Sequence, residues 1–320
     1  MIETLQRLTI AFAVMLSVAG AVRDWSQEEP SVAADYYQQT PVCGTIEAEY
    51  TAMGDYEVSY AEYPALDVLI KQYKVWYPSA LEEGSQEWPI VVMANGTGVP
   101  ASRYEPIFQH LASWGFVVIG NEQQASWQGD GSEGALELLI RLNEDPESAF
   151  YQKLDLECVG AAGHSQGAIG AINGVTSQPN GWRYKALYTA STPSSRYAMT
   201  LNWNYDVSKI QIPYFMAAGT GLLDAGEEGL PEVVEDTQEI SISPLWSQEE
   251  NYSLIPNTTP KLRARRTSAD HAEMLPWGDG YMTAWFMYWL QGDQEAGEAF
   301  VGEGAEILSN PCWQDLEKNI

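Results

Sequence analysis

The residues with the clearest chemical potential are 163–167, which read Gly-His-Ser-Gln-Gly. An apolar run at 158–162 precedes them, and a helix-compatible stretch at 168–175 follows. This order predicts a sharp turn from a buried strand into a helix, with the Ser165 hydroxyl presented at the turn. A serine in that position can attack a carbonyl carbon and form an acyl-enzyme. The pattern Gly-x-Ser-x-Gly arises by chance about 0.1 times in a chain of this length, so other residues must support the prediction.

A serine hydroxyl needs a general base, and the chain has 3 histidines. His164 adjoins the serine, where the backbone of the turn directs its ring away from Ser165. His110 belongs to a predicted helix, which favours a packing or surface position. His271 lies in a loop after a predicted strand and follows the serine in the chain. We therefore predict that His271 is the base, and the alternative is an ordinary loop histidine.

A carboxylate must hold the base in the correct tautomer. Asp224 follows the predicted strand at 212–219 and completes the chain order Ser, Asp, His. Other acidic residues nearby are rivals for this role: Glu227, Glu228 and Asp236. A surface role for Asp224 is a further alternative. Asp270 adjoins His271 and is not expected to reach its ring.

Acyl transfer also needs N–H donors for the negative oxygen that develops in the transition state. The turn after the predicted strand at 89–94 reads Asn-Gly-Thr-Gly, and its glycines allow close approach of backbone to substrate. We predict that the amides of Thr97 and Gln166 form this oxyanion hole. Gly98 and His164 are candidate substrate contacts. The alternative is a plain turn at the end of a strand.

The elements that must position these residues alternate between strand and helix. Alternating and apolar segments predict strands at these positions: 56–63, 70–77, 89–94, 116–120, 156–163, 185–190, 212–219 and 262–267. Helices are predicted at 104–114 and 134–143. This rhythm predicts a mostly parallel central sheet flanked by helices, with active residues at the carboxyl ends of the strands and no separate cap domain. Residues 224–260 show no clear element, so they form a lid, a rim insertion or a surface excursion.

The N-terminal residues indicate export. Arg7 precedes an apolar run at 8–22 that ends in small residues, which predicts a signal peptide over 1–21. A retained membrane anchor is the alternative. We expect an acidic linker over 22–42 and one catalytic domain over 43–320, in a secreted or periplasmic protein that has no stable membrane insertion after cleavage.

If the chain is exported, its three cysteines leave one odd thiol. Of the 3 cysteines, Cys158 lies in the predicted buried strand before the serine, where a reduced thiol packs well. Cys43 and Cys312 remain as disulfide partners, and their bridge would contribute on the order of 4 kcal/mol in the chain-entropy model. Two unpaired cysteines are the alternative.

The charge balance restricts the possible partners. The chain has 44 acidic and 16 basic residues, for a formal net charge of −28. Such a field repels nucleic acid and anionic lipid, so a locally neutral substrate is expected. An acidic surface also stays hydrated in concentrated salt, which suggests a saline habitat, and simple solubility is the alternative reason for this composition.

No cofactor or metal is predicted, because the histidines and cysteines lack ligand spacing and glycine-rich nucleotide motifs are absent. The 12 tryptophans exceed what a core requires. Trp203, Trp246 and Trp277 lie in predicted loops near the active edge, where they form either an aromatic binding rim or packing contacts.

Several separated segments resemble the secreted cutinase-like polyester hydrolases, the family that includes the poly(ethylene terephthalate) hydrolases, and more distantly the dienelactone hydrolases. These segments lie at 95–98 with 111–118, at 163–167, around His271, and at 284–286 followed by 291–293. The resemblance spans residues 45–315. It implies the α/β-hydrolase fold, a triad of Ser165, Asp224 and His271, and oxyanion-hole amides from Thr97 and Gln166.

The chain also departs from this family. Gln166 and Thr97 stand where its polyester degraders often have a methionine and an aromatic residue, and the family's aromatic subsite is replaced at 192–194. Asp224 lies two residues later than the family's acid by simple spacing. The resemblance therefore implies ester hydrolysis rather than one named polymer.

The functional expectation is a monomeric serine carboxylic-ester hydrolase that acts on short- to medium-chain esters or polyesters. An acetyl-sugar or small-molecule carboxylesterase is the enzymatic alternative. A non-catalytic polymer-binding module of the same fold is the alternative from another class. A peptidase lacks a supporting specificity feature.

Overall fold

Nine strands join into one sheet in the computed structural model, which describes residues 31–226 and 241–320. Within those ranges the strands are β1 Val58–Pro64, β2 Gln72–Pro78, β3 Trp88–Ala94, β4 Val117–Asn121, β5 Leu154–His164, β6 Tyr184–Ala190, β7 Tyr214–Gly219, β8 Lys261–Arg266 and β9 Trp313–Lys318. Their order across the sheet is β1-β2-β4-β3-β5-β6-β7-β8-β9.

The central part of this sheet is parallel. The strands in the order β4-β3-β5-β6-β7-β8 pair in parallel with one another. Antiparallel pairs join β1 to β2, β2 to β4 and β8 to β9 at the two sides. Parallel strands need crossover helices that cover both faces, which is why β3 has the continuously apolar sequence WPIVVMA and is buried throughout.

Helices lie between the strands. They are α1 Tyr36–Gln39, α2 Thr45–Thr51, α3 Ala80–Glu83, α4 Glu105–Ser113, α5 Asp130–Glu144, α6 Gln166–Ser177, α7 Ser195–Thr200, α8 Leu222–Ala225, α9 Leu245–Leu254, α10 Met274–Trp277, α11 Asp279–Phe286 and α12 Gln294–Glu298. A π-helical turn, Met287–Gln291, continues α11. Short 3-10 helices occur at Ala101–Arg103, Gly181–Arg183, Val207–Lys209 and Glu306–Leu308.

The core consists of two layers, one on each face of the sheet. Helices α4 and α11 pack on one face with Val91 and Met93 of β3, and α5 and α6 pack on the other with Ile90 and Val92. Neighbouring residues of a strand point to opposite faces, so one apolar strand supplies both layers. The predicted mixed α/β architecture with a mostly parallel, helix-flanked sheet is confirmed.

Every strand that the sequence predicts is present, with ends within two residues of the expected positions. The prediction of no clear element over 224–260 was wrong for its described part, because α9 lies there. The buried face of α9 includes Ser247, Gln248 and Asn251 as well as Tyr252, so apolar periodicity is too weak to reveal the helix. Strand β9 was also not predicted.

The part of the expected linker that the structure describes, from residue 31, packs on the fold. Val32 and Tyr36 are buried in the core layer that contains α4, and the Tyr36 hydroxyl donates a hydrogen bond to Asp279. The linker prediction was therefore wrong from Val32 onward, because these two side chains belong to the core. The predicted signal peptide over 1–21 lies outside the described residues.

The predicted disulfide between Cys43 and Cys312 is present, with a Cα–Cα distance of 5.7 Å, and Cys158 is free. Burial raises the pKa of the Cys158 thiol to about 11, so it is protonated at neutral pH. Close to the disulfide, the buried Arg266 guanidinium lies 3.6 Å from the Glu47 carboxylate. The bridge and this ion pair join the N-terminal helices to the end of the sheet.

None of the helices in the described ranges has the length and apolar character needed to cross a membrane.

Candidate active site

Ser165 is the single residue between β5 and α6, and its backbone adopts φ 57° and ψ −127°. The surrounding glycines make this turn possible. A Cβ on Gly163 would lie 2.1 Å from the Gly167 carbonyl oxygen, and a Cβ on Gly167 would lie 2.1 Å from the Ala94 carbonyl oxygen. Close backbone approach on both sides thus explains the Gly-x-Ser-x-Gly pattern. The unfavourable φ of Ser165 is retained because the neighbouring strand and helix hold both sides of the turn.

His271 and Asp224 form a direct pair. His271 Nδ1 lies 2.7 Å from Asp224 Oδ1, with the Asp224 side chain fully buried and the His271 side chain 17% exposed. A carboxylate oxygen accepts from Nδ1–H, which leaves the Nε2 lone pair of the imidazole available as a proton acceptor. The rival acids Glu227, Glu228 and Asp236 lie outside the described residues.

The Asp224 carboxylate receives hydrogen bonds on both oxygens. Besides the His271 contact, Oδ2 accepts from the Ser191 hydroxyl at 2.5 Å and from the Gly219 amide at 2.8 Å. Burial by itself raises the pKa of Asp224, but the hydrogen bond and charge of His271, with the bonds from Ser191 and Gly219, outweigh it and lower that pKa. Asp224 is therefore ionised at neutral pH and accepts the hydrogen bond from the His271 ring.

His164 connects the His271 loop to the turn at Ser165. Its Nε2 lies 2.8 Å from the His271 carbonyl oxygen, and the two rings are 4.6 Å apart. Burial and the neighbouring His271 ring lower the pKa of His164 to about 3, so the ring is neutral and donates Nε2–H to that carbonyl. Because His164 immediately precedes Ser165, this bond holds the His271 loop at the turn.

The expected role of His164 as a substrate contact does not fit this position. The residue is 6% exposed, and Nε2 is engaged with the His271 backbone. Gly98 differs, since a Cβ built at its φ of 66° would meet no atom of the described residues within 4 Å. Its backbone therefore borders open space, as a substrate contact requires.

The turn after β3 leaves one amide unused. The Gly96 amide donates to the Tyr104 hydroxyl at 2.8 Å, and the Gly98 amide donates to the Gln124 carbonyl at 2.9 Å. Within the described ranges, the Thr97 amide between them has no hydrogen-bond partner. The Gln166 amide is likewise free of an intrahelical acceptor, because Gln166 is the first residue of α6. These are the two donors that the sequence predicts for an oxyanion hole.

The Gln166 side chain is not part of the open surface. It is 2% exposed, and its Oε1 accepts from the Ser126 amide at 2.8 Å. The Ser126 hydroxyl in turn donates to the Asn95 carbonyl. Gln166 thereby links the start of α6 to the loop after β4 and to the turn after β3, which fixes the backbone around both free amides.

Sequence reasoning missed Ser191 and gave Asp270 no role. Ser191 directly follows β6, and Asp270 Oδ1 accepts from the amides of Leu223, Asp224 and His271. The available signal for Ser191 was a polar residue at the carboxyl end of an apolar strand. Asp270 gave no such signal, because its contacts are to backbone groups that are distant in the chain.

Trp203 lies in a loop as predicted, but the loop prediction was wrong for the other two, because Trp246 belongs to α9 and Trp277 is the last residue of α10. All three are half-buried, and each contacts another side chain. The Trp203 ring packs edge-on against Tyr197 at 6.4 Å, the Arg196 guanidinium lies 4.5 Å from the Trp246 ring, and the Arg266 guanidinium lies 5.9 Å from the Trp277 ring. These contacts favour the packing alternative over a free aromatic rim.

Comparison with known proteins does not identify a relative, since no protein-family model matches the chain and no curated protein matches it significantly. Among the described residues, no three or more His, Cys, Asp and Glu side chains are grouped so as to hold a metal ion.

Proposed function

We propose that this protein is a secreted or periplasmic serine carboxylic-ester hydrolase of the α/β-hydrolase fold. The observation that carries the proposal is the 2.7 Å contact between His271 Nδ1 and Asp224 Oδ1. The backbone of His271 is also hydrogen-bonded to His164, the residue before Ser165. Acyl transfer through a serine requires a nucleophile and a histidine oriented by a carboxylate. Ser165 at its strained turn is the proposed nucleophile, and His271 is the oriented histidine.

The positions of these groups in the sheet support the fold assignment. Ser165 follows the central strand β5, Asp224 follows β7, and His271 follows β8, so all three lie at the carboxyl ends of parallel strands. The free Thr97 amide follows β3, where this fold supplies one oxyanion donor, and the Gln166 amide directly follows the serine, where it supplies the other.

In the proposed reaction the Ser165 oxygen attacks the ester carbonyl carbon while His271 Nε2 takes the hydroxyl proton. The carbonyl oxygen becomes negative and accepts from the amides of Thr97 and Gln166. The tetrahedral intermediate collapses as His271 returns the proton to the leaving alcohol. Water then attacks the acyl-enzyme with His271 again as the base, which releases the acid and restores Ser165. Asp224 stabilises the imidazolium in both halves and remains ionised.

The substrate is an ester without local negative charge, of short to medium chain length or in a polyester. The net charge of −28 disfavours anionic substrates. The Cys43–Cys312 disulfide supports an oxidising compartment outside the cytosol.

The test is hydrolysis of p-nitrophenyl esters with acyl chains of about two to sixteen carbons by the wild type, Ser165→Ala and Asp224→Asn. Removing the nucleophile should abolish turnover, and neutralising the acid should lower kcat by a factor on the order of 10⁴. Ser177→Ala is the matched control, since this exposed serine lies at the far end of α6. Equal turnover in wild type and Ser165→Ala refutes the proposal. Unchanged adsorption of Ser165→Ala to polyester films separates binding from catalysis.

A further inference from the structure

One carboxylate oxygen joins the loop of the proposed acid to the loop of the proposed base. Asp270 Oδ1 accepts from the amides of Leu223 at 2.9 Å, Asp224 at 3.1 Å and His271 at 2.8 Å. Two of these donors belong to the residues whose side chains form the acid–base pair. A single atom therefore fixes the backbone of both partners.

The two loops meet along their length around this oxygen. The Gly221 amide donates to the Ala269 carbonyl at 2.7 Å, and the Ser268 amide donates to the Thr220 hydroxyl at 2.9 Å. A Cβ on Gly221 would lie only 2.4 Å from the Asp270 Cβ. Glycine at this position thus lets Asp270 approach the acid loop closely enough to bond its amides.

Hydrogen bonds to a charged group are about twice as strong as neutral ones. Two of them, from Leu223 and Asp224, cross between the loops, and the third lies within the loop of His271. Together they restrict movement of the backbone on both sides of the 2.7 Å Nδ1–Oδ1 contact. Misplacement of reacting groups by about 1 Å lowers rates by roughly 100-fold. A group that touches neither the substrate nor the His271 ring can therefore control the rate.

We propose that Asp270 is a positioning residue that aligns His271 with Asp224. Its effect on turnover rests on the proposed esterase function. Its effect on the Asp224–His271 hydrogen bond does not, because that bond exists in the resting protein. The test accordingly has a kinetic arm and a spectroscopic arm, both on the full chain.

In the kinetic arm, Asp270→Ala should lower kcat by roughly 100-fold and leave KM for a soluble p-nitrophenyl ester within about 2-fold. Asp270→Asn keeps an acceptor oxygen without the charge and should recover kcat to within about 10-fold of wild type. The matched control is Asp145→Ala, since Asp145 Oδ1 also accepts a backbone amide, from Glu147. Asp145 lies between α5 and the start of β5, at the amino ends of the parallel strands and away from the proposed site. This control should keep the wild-type kcat.

In the spectroscopic arm, proton NMR follows the Nδ1–H of His271, which a carboxylate acceptor shifts far downfield of the amides. His110→Gln identifies the separate resonance of the buried His110–Asp279 pair, which then reports that each variant is folded. Asp270→Ala should lose the His271 resonance and keep the His110 resonance. Asp270→Asn should keep both.

Gly221→Ala provides a second route should Asp270→Ala fail to fold, because the added methyl group displaces Asp270 without removing it. The same loss of kcat and of the His271 resonance is expected. A wild-type kcat and an intact His271 resonance in Asp270→Ala or Gly221→Ala overturn the inference. If the wild type hydrolyses no ester, the proposed function fails, and the His271 resonance alone then decides whether Asp270 aligns the pair.

Discussion

Ser191 offers a direct measure of how the buried Asp224 carboxylate is stabilised. Ser191 is fully buried, and its hydroxyl donates to Asp224 Oδ2 at 2.5 Å. A hydrogen bond to a charged group contributes about 1.5–3 kcal/mol. Ser191→Ala should lower the free energy of unfolding by that amount at pH 7. The Cβ is retained, so the backbone at φ 53° is not altered by the change.

The loss of unfolding free energy in Ser191→Ala should be smaller in acid than at neutral pH. The pKa of Asp224 is lowered in the folded protein, so its carboxylate contributes stability that is present above about pH 3.9, the unfolded value. This contribution is lost as the pH falls through the folded-state pKa. Ser191→Ala removes one cause of the lowered pKa, so its stability deficit should be largest at neutral pH and should narrow in acid.

Ser191→Ala should lower kcat less than Asp224→Asn does. The Gly219 amide and the His271 ring still bond Asp224 in the variant, so the carboxylate stays close to its position. We expect kcat to fall by no more than about 10-fold, or 1.4 kcal/mol, against the factor on the order of 10⁴ expected for Asp224→Asn.

Urea unfolding between pH 3 and 7, with kcat on a p-nitrophenyl ester, measures both effects. Thr192→Val is the matched control, because the buried Thr192 hydroxyl donates to another neutral hydroxyl, that of Thr189. Its stability loss of about 0.5–1.5 kcal/mol should not change with pH. A deficit in Ser191→Ala that is equal at pH 7 and pH 3, or a kcat as low as that of Asp224→Asn, would refute this reasoning.

Three further predictions follow from the fold and the composition. Replacing Cys43 and Cys312 with serine opens a link across 269 residues and should lower the unfolding free energy by about 4–5 kcal/mol, measured from the urea midpoint. An unchanged midpoint contradicts this prediction. Burial lowers the pKa of His110, but the Asp279 carboxylate outweighs this effect and raises that pKa. The stabilisation by the pair is therefore fully present below about pH 6.5, the pKa of an unfolded histidine, and declines as the pH rises through the pKa of His110 in the folded protein. His110→Gln should cost about 3–5 kcal/mol below pH 6.5 and less in alkali, and a pH-independent loss would count against this pair. Finally, with a net charge of −28, the melting temperature should rise with added salt, and a maximum without salt would exclude the saline interpretation.

Local patterns in the sequence determined the elements and the nucleophile turn. The apolar runs within β3 through β7 predict buried strands, because burial on both faces requires apolar residues at successive positions. Strand β8 instead reads KLRARR and was predicted from its alternation. The turn at 163–167 is local in part, since a Cβ on Gly163 would lie 2.1 Å from the Gly167 carbonyl oxygen within the turn. Gly167 is required by the Ala94 carbonyl oxygen of the neighbouring strand β3, which is a tertiary contact. Helix α9 and strand β9 escaped prediction because α9 buries polar side chains and β9 is only partly covered.

The partners of the site residues depend on contacts across the folded sheet. The sequence by itself determined that Ser165 lies at a turn from a strand into a helix, since turn geometry and apolar periodicity act within about ten residues. Only the tertiary structure decided that His164 bonds the His271 backbone, that Ser191 bonds Asp224, and that Asp270 joins the two loops. The physical reason is that the strand order β5-β6-β7-β8 brings together loops that lie tens of residues apart in the chain. Hydrogen bonds between these loops act over short distances, so they require the paired strands that bring the loops together.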